Sequence, residues 1–211
     1  MRAIMPRSKS SNEWLRRHVN DPYVKKAQLE GYRSRSAYKL IELNEKDRLI
    51  KPNMFLLDLG SAPGGWSQVA SKLIGRNGRV LATDILPMDS VANVDFIQGD
   101  FTDEAVVGRL LEWLGDGKFD LIVSDIAPNI TGIDSADQAS SMYFLEIALD
   151  TVRKTLKTGA TFVAKMFQGS GSDQYVKELR TSFEKVLIRK PAASRAESRE
   201  VYIVAKGFKG S

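Results

Sequence analysis

Seven short apolar runs, most of them separated by segments with helical periodicity, constrain this 211-residue chain more than any single motif. The runs are residues 54–60, 79–85, 94–100, 118–127, 160–167, 183–190 and 198–208. Between them, residues 34–47, 66–74, 102–115, 136–159 and 172–182 carry the helical pattern. Ser34 or Ser36 is placed to cap the first of these helices, Thr102 the third, and Gly159 to end the fourth. Strands alternating with helices predict an α/β fold, a mostly parallel sheet with helices on both faces. The link at 191–197 is too short for a parallel crossover, so the seventh strand is expected to be antiparallel to its neighbours. One domain is expected over 31–211, preceded by an arm at 1–30 that is partly disordered, least structured at 1–12.

Ligands of open α/β sheets bind beyond the carboxyl ends of the strands, so strand ends deserve the closest reading. "DLGSAPGGWS" at 58–67 is a strand, a glycine-rich turn and a helix start. Gly60, Gly64 and Gly65, with Pro63 and Trp66 in the same loop, point to a nucleotide-like ligand, although a plain turn is the alternative. The loop is not a P-loop, because no Lys-Ser/Thr follows the glycines. Asp84 ends the second strand, where a carboxylate can accept hydrogen bonds from ribose hydroxyls. Asp100 and Phe101 follow the third, where an acid can hold an adenine amino group and a ring can flank the base. Pyrophosphate would avoid a pocket lined by Asp58, Asp84 and Asp100. A phosphate-free adenosine bearing positive charge suits it better, and S-adenosylmethionine is preferred to NAD on that ground.

"GATFVAKMFQG" at 159–169 places Lys165 inside an otherwise apolar strand. A buried ammonium without partners is costly. Asp125 closes the fourth strand in "VSDIAPN", and Glu200 opens the seventh. An antiparallel strand starts on the edge where its parallel neighbours finish, so Glu200 can reach the same place. A structural ion pair is the alternative to a functional one.

Charge is unevenly spread. Residues 1–39 hold ten Lys/Arg against three Asp/Glu, a net +7, while the remainder is close to neutral. A basic arm interleaved with Trp14, Tyr23, Tyr32 and Tyr38 fits an RNA partner, and a solvated tail fits equally well. The absence of cysteine excludes disulfides, thiolate metal sites and cysteine nucleophiles. His18 is the only histidine and is read as an exposed side chain, and no metal site is expected. No apolar run reaches membrane-spanning length, and no secretory signal is expected. A cytoplasmic location follows as the expectation.

Together, "RSRSAYKLIEL" (33–43), "DLGSAPGGWSQ" (58–68), "SDIAPNITG" (124–132), "FVAKMFQG" (162–169) and "SREVYIVA" (198–205) resemble the FtsJ/RrmJ-type ribosomal RNA 2′-O-ribose methyltransferases. The resemblance covers nearly the whole chain and implies a Rossmann-like S-adenosylmethionine-dependent methyltransferase fold. It implies a catalytic Lys-Asp-Lys-Glu tetrad at Lys39, Asp125, Lys165 and Glu200. It implies cofactor contacts at Gly64, Trp66, Asp84, Asp100 and Asp125, to which the strand-end reading adds Gly60, Pro63, Gly65 and Phe101. It implies a uridine of large-subunit (23S) ribosomal RNA as acceptor, on the assembled subunit; the basic arm is expected to contact the RNA, and the enzyme is expected to be a monomer. Ser61 stands where alanine is expected in many relatives. Lys165 can act as a free base that takes the ribose hydroxyl proton, or as a cation that stabilises the alkoxide; the base is favoured here. Base-directed methylation fits poorly, since there is no cysteine nucleophile and no Asn-Pro-Pro-aromatic turn. A small-molecule O-methyltransferase or a non-enzymatic assembly factor would not require the tetrad.

Overall fold

The structure is a computed structural model that describes residues 20–128 and 131–210. Trp14, His18 and the segment expected to be unstructured at 1–12 lie outside the described residues. In the expected arm, Pro22–Glu30 forms a helix, α1, that the periodicity did not reveal. Its signals are local. The Asp21 side chain accepts from the Tyr23 amide at 2.9 Å, Pro22 occupies the first turn, and Gly31 closes the helix at φ 73°. Ala27 packs against Tyr38 and Ala193, and Arg35 pairs with Asp21 at 3.0 Å, which fixes α1 to the rest of the molecule.

The remaining elements follow as α2 (Ala37–Asp47), β1 (Phe55–Leu59), α3 (Gly65–Ile74), β2 (Arg79–Asp84) and β3 (Val94–Gln98). Then come α4 (Glu104–Leu114), β4 (Phe119–Ser124), α5 (Asp134–Thr155), β5 (Leu156–Phe167), α6 (Ser172–Ser182), β6 (Phe183–Arg189) and β7 (Glu200–Phe208). One sheet of order β3-β2-β1-β4-β5-β7-β6 contains all seven strands. β1 to β5 pair in parallel, and β7 runs antiparallel to both β5 and β6, as the short link demanded. β1 pairs with β2 on one side and β4 on the other, so the strand order reverses there and opens a crevice.

Residues of alternate parity bury against different layers. Leu57, Leu59, Ile122, Phe162 and Ala164 meet α4, α5 and α6 through Val106, Leu110, Leu145, Leu149 and Leu179. Leu56, Leu121, Val123, Val163, Tyr202 and Val204 face α2 and α3 through Leu40, Leu43, Trp66 and Val69. This two-sided burial explains why the strand sequences are continuously apolar rather than alternating.

Two expected helix ends are corrected, and a third is refined. Asp103, not Thr102, caps α4, accepting from the Ala105 amide at 2.9 Å. Ser36, one of the two expected candidates, occupies the N-cap position of α2, but its side chain makes no capping hydrogen bond; the Ser34 and Ser36 hydroxyls bond each other at 2.6 Å, and the helix starts at Ala37. Gly159 does not end α5, which stops at Thr155; it lies within β5 at φ 83°, where the register with β4 slips between Phe119 and Leu121. A glycine at positive φ serves one kind of strand irregularity as well as a helix cap, so glycine alone cannot distinguish them.

Candidate active site

Three strand ends, those of β4, β5 and β7, meet one helix at the expected place. Asp125 directly follows β4 and continues the parity of Leu121 and Val123. Lys165 shares its face with Val163, and its partner across the β5–β7 ladder is Tyr202. Glu200 and Tyr202 are two apart on β7 and so point the same way. That face is the one α2 covers, and α2 carries Lys39. The two lysines are almost fully buried, at 7% exposure for Lys39 and 8% for Lys165.

The four expected catalytic residues therefore converge. The Lys165 ammonium lies 3.1 Å from Asp125 Oδ1 and donates to the Asp125 backbone carbonyl at 2.7 Å. Lys39 Nζ sits 2.7 Å from Glu200 Oε1 and 4.0 Å from Asp125 Oδ1. Burial pushes the Asp125 carboxyl up, but Lys165, Lys39 and the Tyr202 hydroxyl outweigh it and hold Asp125 below its ordinary range. Glu200 follows the same balance: burial raises it, and Lys39 beside it wins and lowers it. Both carboxylates stay ionised near neutrality. The sequence reading missed two members of this network. The Tyr202 hydroxyl donates to Asp125 Oδ1 at 2.5 Å, and Ser194 Oγ donates to Glu200 Oε1 at 2.7 Å. Tyr202 was legible in principle, since β7 starting at Glu200 puts position 202 on the same face. Ser194 was not, because it arrives on the loop between β6 and β7.

Beside this network a cavity of about 490 Å³ opens over the ends of β1 to β4, within the range of small-molecule sites. Of the expected cofactor contacts, Gly60, Asp84, Asp100, Phe101 and Asp125 line it. Ile85, Leu86, Ile126 and Phe144 supply apolar walls that the sequence did not single out. Gly60 is pressed so close to Ile126 that a Cβ would lie 2.0 Å from its Cγ1. Asp84 also braces its own surroundings, accepting from the Ala62 and Leu86 amides at 2.8 Å each.

The rest of the glycine loop packs against the segment ahead of α2. Pro63, Gly64, Gly65 and Trp66 are not among the cavity's walls. A Cβ on Gly65 would lie 2.4 Å from Ser34 Oγ, and one on Gly64 would meet Met88 and Arg33. The buried Trp66 indole donates to the Ser36 carbonyl at 2.8 Å and packs against Tyr202. The Arg33 guanidinium bonds the carbonyls of Pro63, Asp89 and Ser90. These contacts bind the segment ahead of α2, and with it Lys39, to the cavity's rim. Asp58, expected as a wall, is instead buried beneath the loop at 1% exposure, one oxygen accepting from Ser67 Oγ at 2.6 Å. Its other oxygen has no hydrogen-bond partner among the described residues, and burial pushes its carboxyl up to about 7.

Among the described residues no group of His, Cys, Asp and Glu has metal-binding geometry, and no helix is long and apolar enough to cross a membrane.

The model of the FtsJ-like methyltransferases matches residues 32–208 of the chain. A protein of Stutzerimonas stutzeri strain A1501 named ribosomal RNA large subunit methyltransferase E is 66% identical over 206 residues, spanning 98% of this chain and 100% of its own. Its namesake in Marinobacter nauticus is 62% identical over 205 residues, 97% of this chain and 99% of its own. Among solved structures, a Plasmodium falciparum chain described as a ribosomal RNA methyltransferase superposes with a TM-score of 0.75 at 33% identity, covering 85% of this chain and 100% of that one.

Proposed function

The chain belongs to the FtsJ-like methyltransferase family, and from that premise we propose that it transfers a methyl group from S-adenosylmethionine to the 2′-hydroxyl of a uridine ribose in 23S ribosomal RNA of the large subunit. The observation that carries this reading is the convergence of Lys39, Asp125, Lys165 and Glu200 beside a carboxylate-lined cavity. The substrate class rests on the relatives' names, which specify large-subunit ribosomal RNA.

The cavity fits the proposed cofactor. Among the residues lining it, three are carboxylates and none is Lys or Arg, which suits a cationic, phosphate-free adenosine and disfavours a pyrophosphate. Asp84 would hold the ribose hydroxyls, Asp100 and Phe101 the adenine, and Asp125 the side nearest the tetrad, with Gly60 letting the backbone approach. S-adenosylmethionine, when bound, supplies an electrophilic methyl on a sulfonium.

A ribose hydroxyl is a poor nucleophile until its proton leaves. Lys165, once its ammonium has released a proton to solvent, takes that proton. A neutral amine there keeps both observed bonds to Asp125, one to the carboxylate and one to the backbone carbonyl, and still has a lone pair to offer. Asp125 orients Lys165, while Lys39, held by Glu200, positions the hydroxyl and balances the charge that develops on its oxygen. Residues 31–211 act as the single catalytic domain of a monomer, and the basic arm ahead of them contacts the RNA. Ribosomal RNA as substrate accords with the expected cytoplasmic location.

The deciding experiment supplies labelled cofactor with large ribosomal subunits, naked ribosomal RNA or a catechol, and maps the methyl group by mass. Ribose 2′-O-methylation of a large-subunit uridine is expected, and it disappears when that sugar is 2′-deoxy. A methyl on a base, or on the catechol alone, overturns the proposal.

A further inference from the structure

Tyr202 stands at the centre of the site with no task assigned to it. Its ring is fully buried on the face shared with Lys165, packed against Trp66 at 5.7 Å between centroids, and Lys39 Nζ lies 5.5 Å from the ring centre. Packing would be satisfied by phenylalanine. The hydroxyl adds something else. It donates to Asp125 Oδ1 at 2.5 Å and lies 3.3 Å from Glu200 Oε1. The Asp125 oxygen it holds is the one facing Lys165 and Lys39, and the Glu200 oxygen beside it is the one held by Lys39 and Ser194. One phenol thus touches both carboxylates of the tetrad at the oxygens the lysines use.

We propose that Tyr202 is a positioning residue for methyl transfer, its hydroxyl fixing the carboxylates of Asp125 and Glu200 in the arrangement the two lysines require. The inference rests on the tetrad reading above. A carboxylate turns readily about its last torsion, and Lys165 also bonds the Asp125 backbone carbonyl, so the ion pair by itself does not fix the plane of the Asp125 carboxylate. The phenol supplies a second direction, from β7 on a rigid ladder, where a loop residue could not hold position as well. Burial and the two carboxylates raise the Tyr202 hydroxyl well above its ordinary range, so it remains a donor and does not take the substrate proton itself.

The test compares full-length wild type, Lys165→Ala and Tyr202→Phe with labelled S-adenosylmethionine and large ribosomal subunits, reading kcat, both KM values and the melting temperature. Wild type is read first: no ribose methylation there sinks the proposed function itself. Given wild-type methylation, Tyr202→Phe is expected to lose about 10–100-fold in kcat, the scale of one hydrogen bond to a charged group, with both KM values within about twofold. An unchanged kcat, with or without a lower melting temperature, overturns the Tyr202 inference alone and leaves a core residue with a satisfied hydroxyl. Replacement of Tyr202 by 4-aminophenylalanine restores a donor at the same place and is expected to recover most of the lost kcat. If Tyr202→Phe does not fold, this donor-bearing protein decides: activity near wild type supports the assignment, and a folded protein without activity overturns it.

Discussion

The two halves of the sheet's carboxyl edge are built on opposite plans. Over β1, β2 and β3, and reaching Asp125 at the end of β4, the structure leaves an open cavity in which Asp84 and Asp100 are braced by backbone amides. Over β4, β5 and β7 charged side chains close on one another, and every member of the tetrad finds its partner inside it. The first half is specified by shape, the second by charge. A ligand that must enter and leave needs space with pre-placed acceptors. A group that must act on one proton needs its surroundings fixed beforehand. Arg33, Gly65 and Trp66 tie the halves together, because the loop that rims the cavity also anchors the segment leading to Lys39.

The sharpest way to break this contrast is Lys165→Ala. Turnover should fall by about 10²–10⁴-fold, the usual contribution of a positioned proton acceptor, while calorimetry shows cofactor affinity within about threefold of wild type. A parallel loss of cofactor binding would mean that the halves are not separable.

Asp58 tests a different consequence of burial beneath the cavity. Its folded value of about 7 lies above the ordinary carboxylate value, so the folded state binds an extra proton between the two and stability falls as pH rises through that window. Asp58→Asn removes the penalty. Its advantage over wild type in denaturant melts should be small near pH 4, grow to roughly 2–4 kcal/mol by pH 7, and then stay level. A pH-independent difference would show that the Asp58 carboxyl is not raised in the folded protein.

On the cavity side, Asp84→Asn should raise the cofactor dissociation constant by about 10–100-fold through loss of a charge-assisted acceptor, with kcat at saturating cofactor nearly unchanged. Arg33→Ala is expected to act more weakly. Loss of its bonds to the carbonyls of Pro63, Asp89 and Ser90 should raise the cofactor KM by about 3–10-fold and leave RNA binding by filter retention unaltered. A larger effect on RNA than on cofactor would return Arg33 to the basic arm's expected role.

The sequence by itself determined the sheet, its parallel character and the reversed last strand, because these follow from local periodicity and the length of one link. It also identified which acids and lysines were out of place in apolar surroundings, Lys165 above all. It did not determine α1, whose amphipathic pattern is weak and whose signals are confined to its caps, or the role of Gly159, where two motifs share one backbone requirement. Nor could it show that part of the glycine loop packs on Ser34, Ser36 and Arg33, or that Tyr202 and Ser194 bond the carboxylates of Asp125 and Glu200. Apart from Ser194, which reaches Glu200 across six residues of loop, those facts concern which surfaces touch across 30 or more residues of chain. Local pattern fixes the direction in which a side chain leaves its strand; only the packed molecule decides what it meets.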